Sequence, residues 1–119
     1  MNETLAAVEH FNEAFNSHDV DLIMSLMTDD CVFESTVPPP DGERYEGQAS
    51  VRGVWNELFG ASPDAHFEAE DIFAADDRCT VRWIYTYTDS EGTKQHLRGV
   101  DVITVRNGKV HEKLSYVKG

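Results

Sequence analysis

The chain has 119 residues, 40% of them hydrophobic, and a formal net charge of −12. That is enough apolar material for one folded domain with a modest core, and too much for a disordered chain. The acid excess excludes nucleic acid and anionic membrane surfaces as partners, since both need clustered Lys and Arg, and no apolar run approaches the roughly 18 residues that span a bilayer.

The first predicted element is a helix over residues 3–16, where Leu5, Val8, Phe11 and Phe15 recur at helical spacing. "NSHD" interrupts it, and Asp19 is a good N-cap for a short second helix with Val20, Ile23, Leu26 and Met27 on one side. "DDCVFEST" reads as a strand with Cys31, Phe33 and Ser35 on one face and Val32 and Glu34 on the other. "VPPPDGERYEG" is an extended loop, because its prolines remove amide donors and fix the backbone. Ser50 is placed to cap a third helix carrying Val51, Val54, Trp55, Leu58 and Phe59, with Gly60 ending it.

The remainder reads as strand. "AHFEAEDIFAA" and "RCTVRWIYTYT" flank a "DD" turn, and "TKQHLRGVDVITV" and "KVHEKLSYV" form a hairpin around "NG". The Asp29–Asp30 and Asp76–Asp77 pairs are both read as turns. The order ααβαββββ makes a single α+β domain over residues 1–119: helices packed on one face of a curved, mostly antiparallel sheet. Cys31 and Cys79 have no metal-ligand spacing and read as buried free thiols. The acidic opening "MNETLAAVEHF" lacks a secretion-signal pattern, so a cytoplasmic location is expected.

The segments "NSHDVDLIMSLMTDDCVFE", a loop ending in "YEG", a helix, and "RGVDVITVRNGKVHEKLSYV" together resemble the SnoaL-like branch of the nuclear-transport-factor-2-like superfamily. The resemblance covers essentially the whole chain. It implies a cone-shaped sheet around an apolar pocket, closed on one side by helices, and a homodimer through the outer sheet face. The superfamily holds polyketide cyclases, ketosteroid isomerases, epoxide hydrolases, dehydratases and non-catalytic binding domains, so fold alone does not name the reaction.

By resemblance, Trp83 and Tyr85 line that pocket, joined by Phe11, Phe15, Trp55 and Phe59 from the helices and by Phe33 and Ser35 from the first strand. Each aromatic could equally be ordinary core; together they make a wall suited to a flat hydrophobic ligand. Asp101, between Val100 and Val102, occupies the position of a pocket acid in ketosteroid isomerases. That enzyme's helix-1 tyrosine is replaced here by Phe11 and its general base by Ser35, with Glu34 adjacent, and one acid of the epoxide-hydrolase pattern maps near Ser115. A SnoaL-like cyclase needs only an acid–base group beside an apolar pocket.

The register of the last hairpin selects the partner of Asp101. A two-residue Asn107-Gly108 turn puts Asp101 opposite Leu114; a three-residue loop puts it opposite Lys113, with Ser115 on the same face. The resemblance favours the second, which groups Asp101 and Lys113 as catalytic candidates with Ser115 beside them; a structural ion pair is the alternative for the same two residues. His96 and Arg98 point away from the pocket unless Gly99 hosts a bulge. The histidines show no metal-binding spacing, and no phosphate-binding glycine loop or cofactor motif is present. The expected function is a small cofactor-independent enzyme performing acid–base chemistry of cyclase, isomerase, dehydratase or hydrolase type on a hydrophobic small molecule. The alternative is a non-catalytic binding or dimerisation domain of the same fold.

Overall fold

The computed structural model describes residues 3–119; Met1 and Asn2, which begin the stretch read for a signal pattern, lie outside the described residues. The elements are α1 (Glu3–Ser17), α2 (Val20–Ser25), β1 (Met27–Glu34), β2 (Arg44–Glu46), α3 (Gln48–Ala61), β3 (His66–Ala75), β4 (Arg78–Thr88), β5 (Lys94–Arg106) and β6 (Lys109–Val117). They form one six-stranded sheet of order β2-β1-β6-β5-β4-β3, in which β1 runs parallel to β6 and every other pair is antiparallel. The sheet does not close, and the three helices cover one face. This is the expected α+β architecture, and no described helix is long and apolar enough to cross a membrane.

Local chemistry accounts for most boundaries. Val8, Phe11, Ala14 and Phe15 form the buried stripe of α1, while Leu5 is only half-buried. The helix ends at His18, whose φ of 62° is left-handed. The His18 ring makes that conformation tolerable: Nε2 donates to the Ala65 carbonyl at 2.6 Å and the ring stacks on Phe59. Asp19 caps α2 as expected, its carboxylate accepting from the Leu22 amide at 3.1 Å.

Several boundaries differ from expectation, beginning with α2, which ends at Ser25 so that Leu26 caps it and Met27 opens β1. Ser50 does not cap α3; the helix starts at Gln48 behind Gly47, and it runs one residue past Gly60 to Ala61. The cause of the early start is tertiary. The Gln48 amide donates to the carbonyls of Met24, Met27 and Thr28, which pins the first turn to the α2–β1 connection. Within the loop read as irregular, Arg44–Glu46 forms β2, pairing Tyr45 with Phe33. Asp29 and Asp30 lie inside β1, not in a turn, at the point where its register with β6 shifts. Asp76 and Asp77 do make the β3–β4 turn.

The final hairpin follows neither expected register. Asn107 and Gly108 have φ of 54° and 76°, both positive as a type I′ turn requires, and Arg106 pairs with Lys109. Val105 then pairs with Val110 but Thr104 pairs with Glu112, leaving His111 as a bulge in β6. Beyond the bulge Asp101 lies opposite Ser115, and Lys113 lies opposite Ile103. One extra residue restores the parity that the two-residue turn alone would have lost. Asp101, Lys113 and Ser115 therefore share the concave face after all, through a bulge in the strand and not through a longer loop. Gly99 hosts no bulge: it pairs in register with Trp83 and Val117. A Cβ there would sit 2.2 Å from the Tyr116 carbonyl oxygen and 2.7 Å from the Trp83 ring, so the position requires glycine by close approach. Arg98 accordingly stays on the outer face, bonded through two nitrogens to Glu70.

Candidate functional site

On the concave face of β5 and β6, three polar side chains converge. Lys113 Nζ lies 2.9 Å from Asp101 Oδ2, and the two side chains are only 6% and 5% exposed. The Ser115 hydroxyl donates to Asp101 Oδ1 at 2.6 Å and accepts from Lys113 Nζ at 3.2 Å. Both oxygens of the carboxylate therefore have protein partners. The ammonium is also within 5.1–5.9 Å of the ring centroids of Phe15, Phe33, Trp55 and Phe67, a range in which a cation is attracted to ring faces.

Two spaces flank this cluster. Behind it lies a void of about 20 Å³, lined by Asp101, Lys113, Phe11, Asn12 and Trp83 among others. That is room for about one water molecule. In front of it opens a cleft of about 460 Å³, within the range of small-molecule sites. Lys113 and Ser115 line the cleft; Asp101 does not. The acid thus stands behind the ammonium and the hydroxyl that a ligand would meet.

The walls are aromatic. Of the residues anticipated from sequence, Phe15, Phe33, Ser35, Trp55, Trp83 and Tyr85 line the cleft. Phe11 lines only the small void, and Phe59 lines neither space; it packs edge-on to Phe15 and stacks on His18. Ser35 sits at the rim, its Oγ accepting from the Val37 amide at 3.2 Å. Glu34, its neighbour, bonds Arg44 instead. Burial pushes the Tyr85 phenol above its ordinary value. The indole nitrogens of Trp55 and Trp83 are buried without a hydrogen-bond partner. Among the described residues no three His, Cys, Asp or Glu side chains converge as a metal site would require.

A family model described as SnoaL-like domain matches residues 8–113. The chain belongs to the SnoaL-like family. No curated protein matches it. Among solved structures, an NTF2-like protein of unknown function from Mesorhizobium loti is 35% identical over 98% of this chain and 92% of that one, with TM-score 0.80. A Mycobacterium tuberculosis protein in complex with estradiol-17β-hemisuccinate is 21% identical over 98% and 94%, with TM-score 0.83. A protein with a ketosteroid isomerase-like fold from Catenulispora acidiphila, in complex with trimethylamine, is 14% identical over 92% and 83%, with TM-score 0.82. The last two likenesses speak to the fold alone.

The SnoaL-like cleft also contains residues that the sequence reading passed over. Phe67, Tyr45, Tyr87 and Leu97 complete its walls. Phe67 and Tyr87 were accessible to simple alternation along β3 and β4. Phe67 is held by the Asn16 side-chain amide, which donates to its carbonyl at 2.7 Å and accepts from its amide at 2.8 Å. Tyr45 depended on recognising β2, and no local signal marks that three-residue strand.

Proposed function

We propose that the cleft is the active site of a cofactor-independent enzyme that moves protons on a flat, hydrophobic small molecule carrying a carbonyl group. The observation that carries this reading is the buried Asp101–Lys113 pair at the inner end of an aromatic cleft. Burying two charges costs several kcal/mol each in desolvation, about the attraction they recover, so stability alone does not explain the pair. In this reading a C–H proton beside the ligand carbonyl passes to Ser115 Oγ as the Ser115 hydroxyl proton moves to Asp101 Oδ1. Lys113 Nζ holds the resulting enolate oxygen. Return of the proton to a different atom completes an isomerisation; in a ligand with a second carbonyl, attack of the enolate carbon on that carbonyl carbon closes a ring as its π pair moves onto oxygen and takes back the proton through Ser115. Lys113 and Ser115 meet the ligand here, and Asp101, behind them, takes the relayed proton and positions both.

The second reading is a binding domain without chemistry. It is favoured by the engagement of both Asp101 oxygens within the protein. Hydrogen–deuterium exchange of 2-tetralone in D₂O, followed by proton NMR, separates the two. The enzyme reading expects exchange about 100-fold or more above buffer, the usual scale of acid–base catalysis, and its loss in Lys113→Met/Asp101→Asn. Saturable quenching of the Trp55 and Trp83 fluorescence without exchange would leave only the binding domain. Neither quenching nor exchange would remove 2-tetralone-like ketones as ligands and the proposal with them.

The reading extends to a homodimer through the outer sheet face and a cytoplasmic location. Tyr116, 53% exposed, and Phe73, 64% exposed, both on the outer face by strand alternation, support the first. The free thiols of Cys31 and Cys79 support the second. Sedimentation equilibrium at micromolar concentration tests the dimer.

A further inference from the structure

Lys113 stands apart from the other lysines of the chain. Lys94, Lys109 and Lys118 are exposed, whereas Lys113 is buried with its nitrogen at the inner end of a ligand-sized cleft. An electrostatic role would be served by any fixed donor. A primary amine is also a nucleophile, and desolvation beside a proton acceptor is how proteins activate one. The acceptor is present at 2.9 Å in Asp101 Oδ2, and a hydroxyl that can relay a proton is present at 3.2 Å in Ser115.

We infer that Lys113 forms a covalent iminium with a hydrophobic ketone or aldehyde in the cleft. This deepens the proton-transfer reading and rests on it, since the iminium is a stronger electron sink for the same C–H bond than a hydrogen-bonded carbonyl. The steps balance without any further reactant. The Lys113 ammonium gives one proton to Asp101, and the amine lone pair forms a C–N bond to the carbonyl carbon as the π pair moves onto oxygen. A proton passes from nitrogen to that oxygen through Ser115. Asp101 then returns its proton through the Ser115 hydroxyl to the new hydroxyl, the C–O bond breaks, and water leaves. Ammonium plus carbonyl has become iminium plus water.

Two features of the site suit this chemistry. The charge on residue 113 is one positive before and after, so the Asp101 carboxylate never loses its counter-ion. That matters where an uncompensated charge is costly. The released water has a compartment of matching size: the void of about 20 Å³ behind Lys113, with Asp101 and Asn12 as polar lining. The aromatic rings of Phe15, Phe33, Trp55 and Phe67 around Nζ favour a flat delocalised cation.

The test is reductive trapping of the full chain with 2-tetralone and sodium cyanoborohydride, followed by peptide mass mapping. The expected result is one tetralyl group on Lys113, added faster than on Lys94, Lys109 or Lys118. Labelling confined to those exposed lysines, or no labelling, would overturn the inference. If the wild type still exchanges the ketone's protons in that case, the proton-transfer reading survives; if exchange and binding are absent as well, both fall. Lys113→Arg gives a second arm, keeping a cation beside Asp101 that forms no such iminium. Loss of exchange with fluorescence quenching retained is expected; exchange at the wild-type rate would overturn the covalent step.

Discussion

Strand β5 carries two ion pairs, three residues apart and on opposite faces. On the concave face, Asp101 meets Lys113 with both side chains about 5% exposed. On the outer face, Arg98 grips Glu70, with 47% and 21% of the side chains exposed. The inner pair is the costly one, since both ions have left water and each depends on the other. The outer pair stays in contact with water and contributes little to stability. Similar bonds on one strand thus differ in energetic cost according to the face on which alternation puts them.

The largest effect is expected from breaking the inner pair one-sidedly. Lys113→Met should destabilise the fold by about 3–5 kcal/mol, because it strands a buried carboxylate. Lys113→Met/Asp101→Asn, which removes both charges, should recover most of that loss. Urea unfolding measures both. A single variant as stable as the wild type would mean that Asp101 is better solvated than its 4% exposure indicates.

Gly99→Ala should come next, at about 1–3 kcal/mol of overpacking. Its methyl must move either the Tyr116 carbonyl or the Trp83 ring. Thermal unfolding gives the cost, and a change in tryptophan emission would show that the inner wall shifts in response to a residue on the backbone between the two faces.

The smallest effect belongs to the outer pair. Arg98→Met should lower neutral-pH stability only slightly, because the pair is partly hydrated, and by the same amount that it removes from the acid decline. Its signature lies in acid. The Arg98 guanidinium holds the Glu70 carboxyl below its ordinary range, as Arg106 does for Asp30 and Thr88 for Asp64. A carboxyl lowered in the folded state contributes stability that is present above its unfolded value and is lost as pH falls through its folded value. The melting temperature should therefore decline below about pH 4, and Arg98→Met should flatten that decline. An unchanged acid slope would remove Glu70 from the set of groups that link folding to pH.

How much of this was legible in the chain follows the range of the forces involved. The α3 stripe and the alternation around Trp83 and Tyr85 are short-range patterns, and the elements form where they predict. The Asn107-Gly108 turn is also local, because only a pair tolerant of positive φ fits two consecutive left-handed positions. Phe59 misled for the opposite reason. Its helical spacing matches that of Trp55, but its ring is captured by His18 and Phe15, from a different helix and the turn that follows it.

The sequence by itself determined the types of the long elements, the sheet hairpins and the presence of an acid in an apolar strand. Those depend on backbone sterics and side-chain period over a few residues. Only the tertiary structure decided what that acid touches. The His111 bulge sits where β6 meets β1: the Val110 amide donates to the Leu26 carbonyl at 2.9 Å, and His111 Nδ1 lies 3.0 Å from Thr28 Oγ1. The partners that hold the bulge lie more than eighty residues away in the chain. A single unpaired residue there sets the face of everything beyond it, because side chains alternate with a period of two. Asp101, Lys113 and Ser115 meet because a distant strand selects that bulge, and no spacing among the three could have announced it.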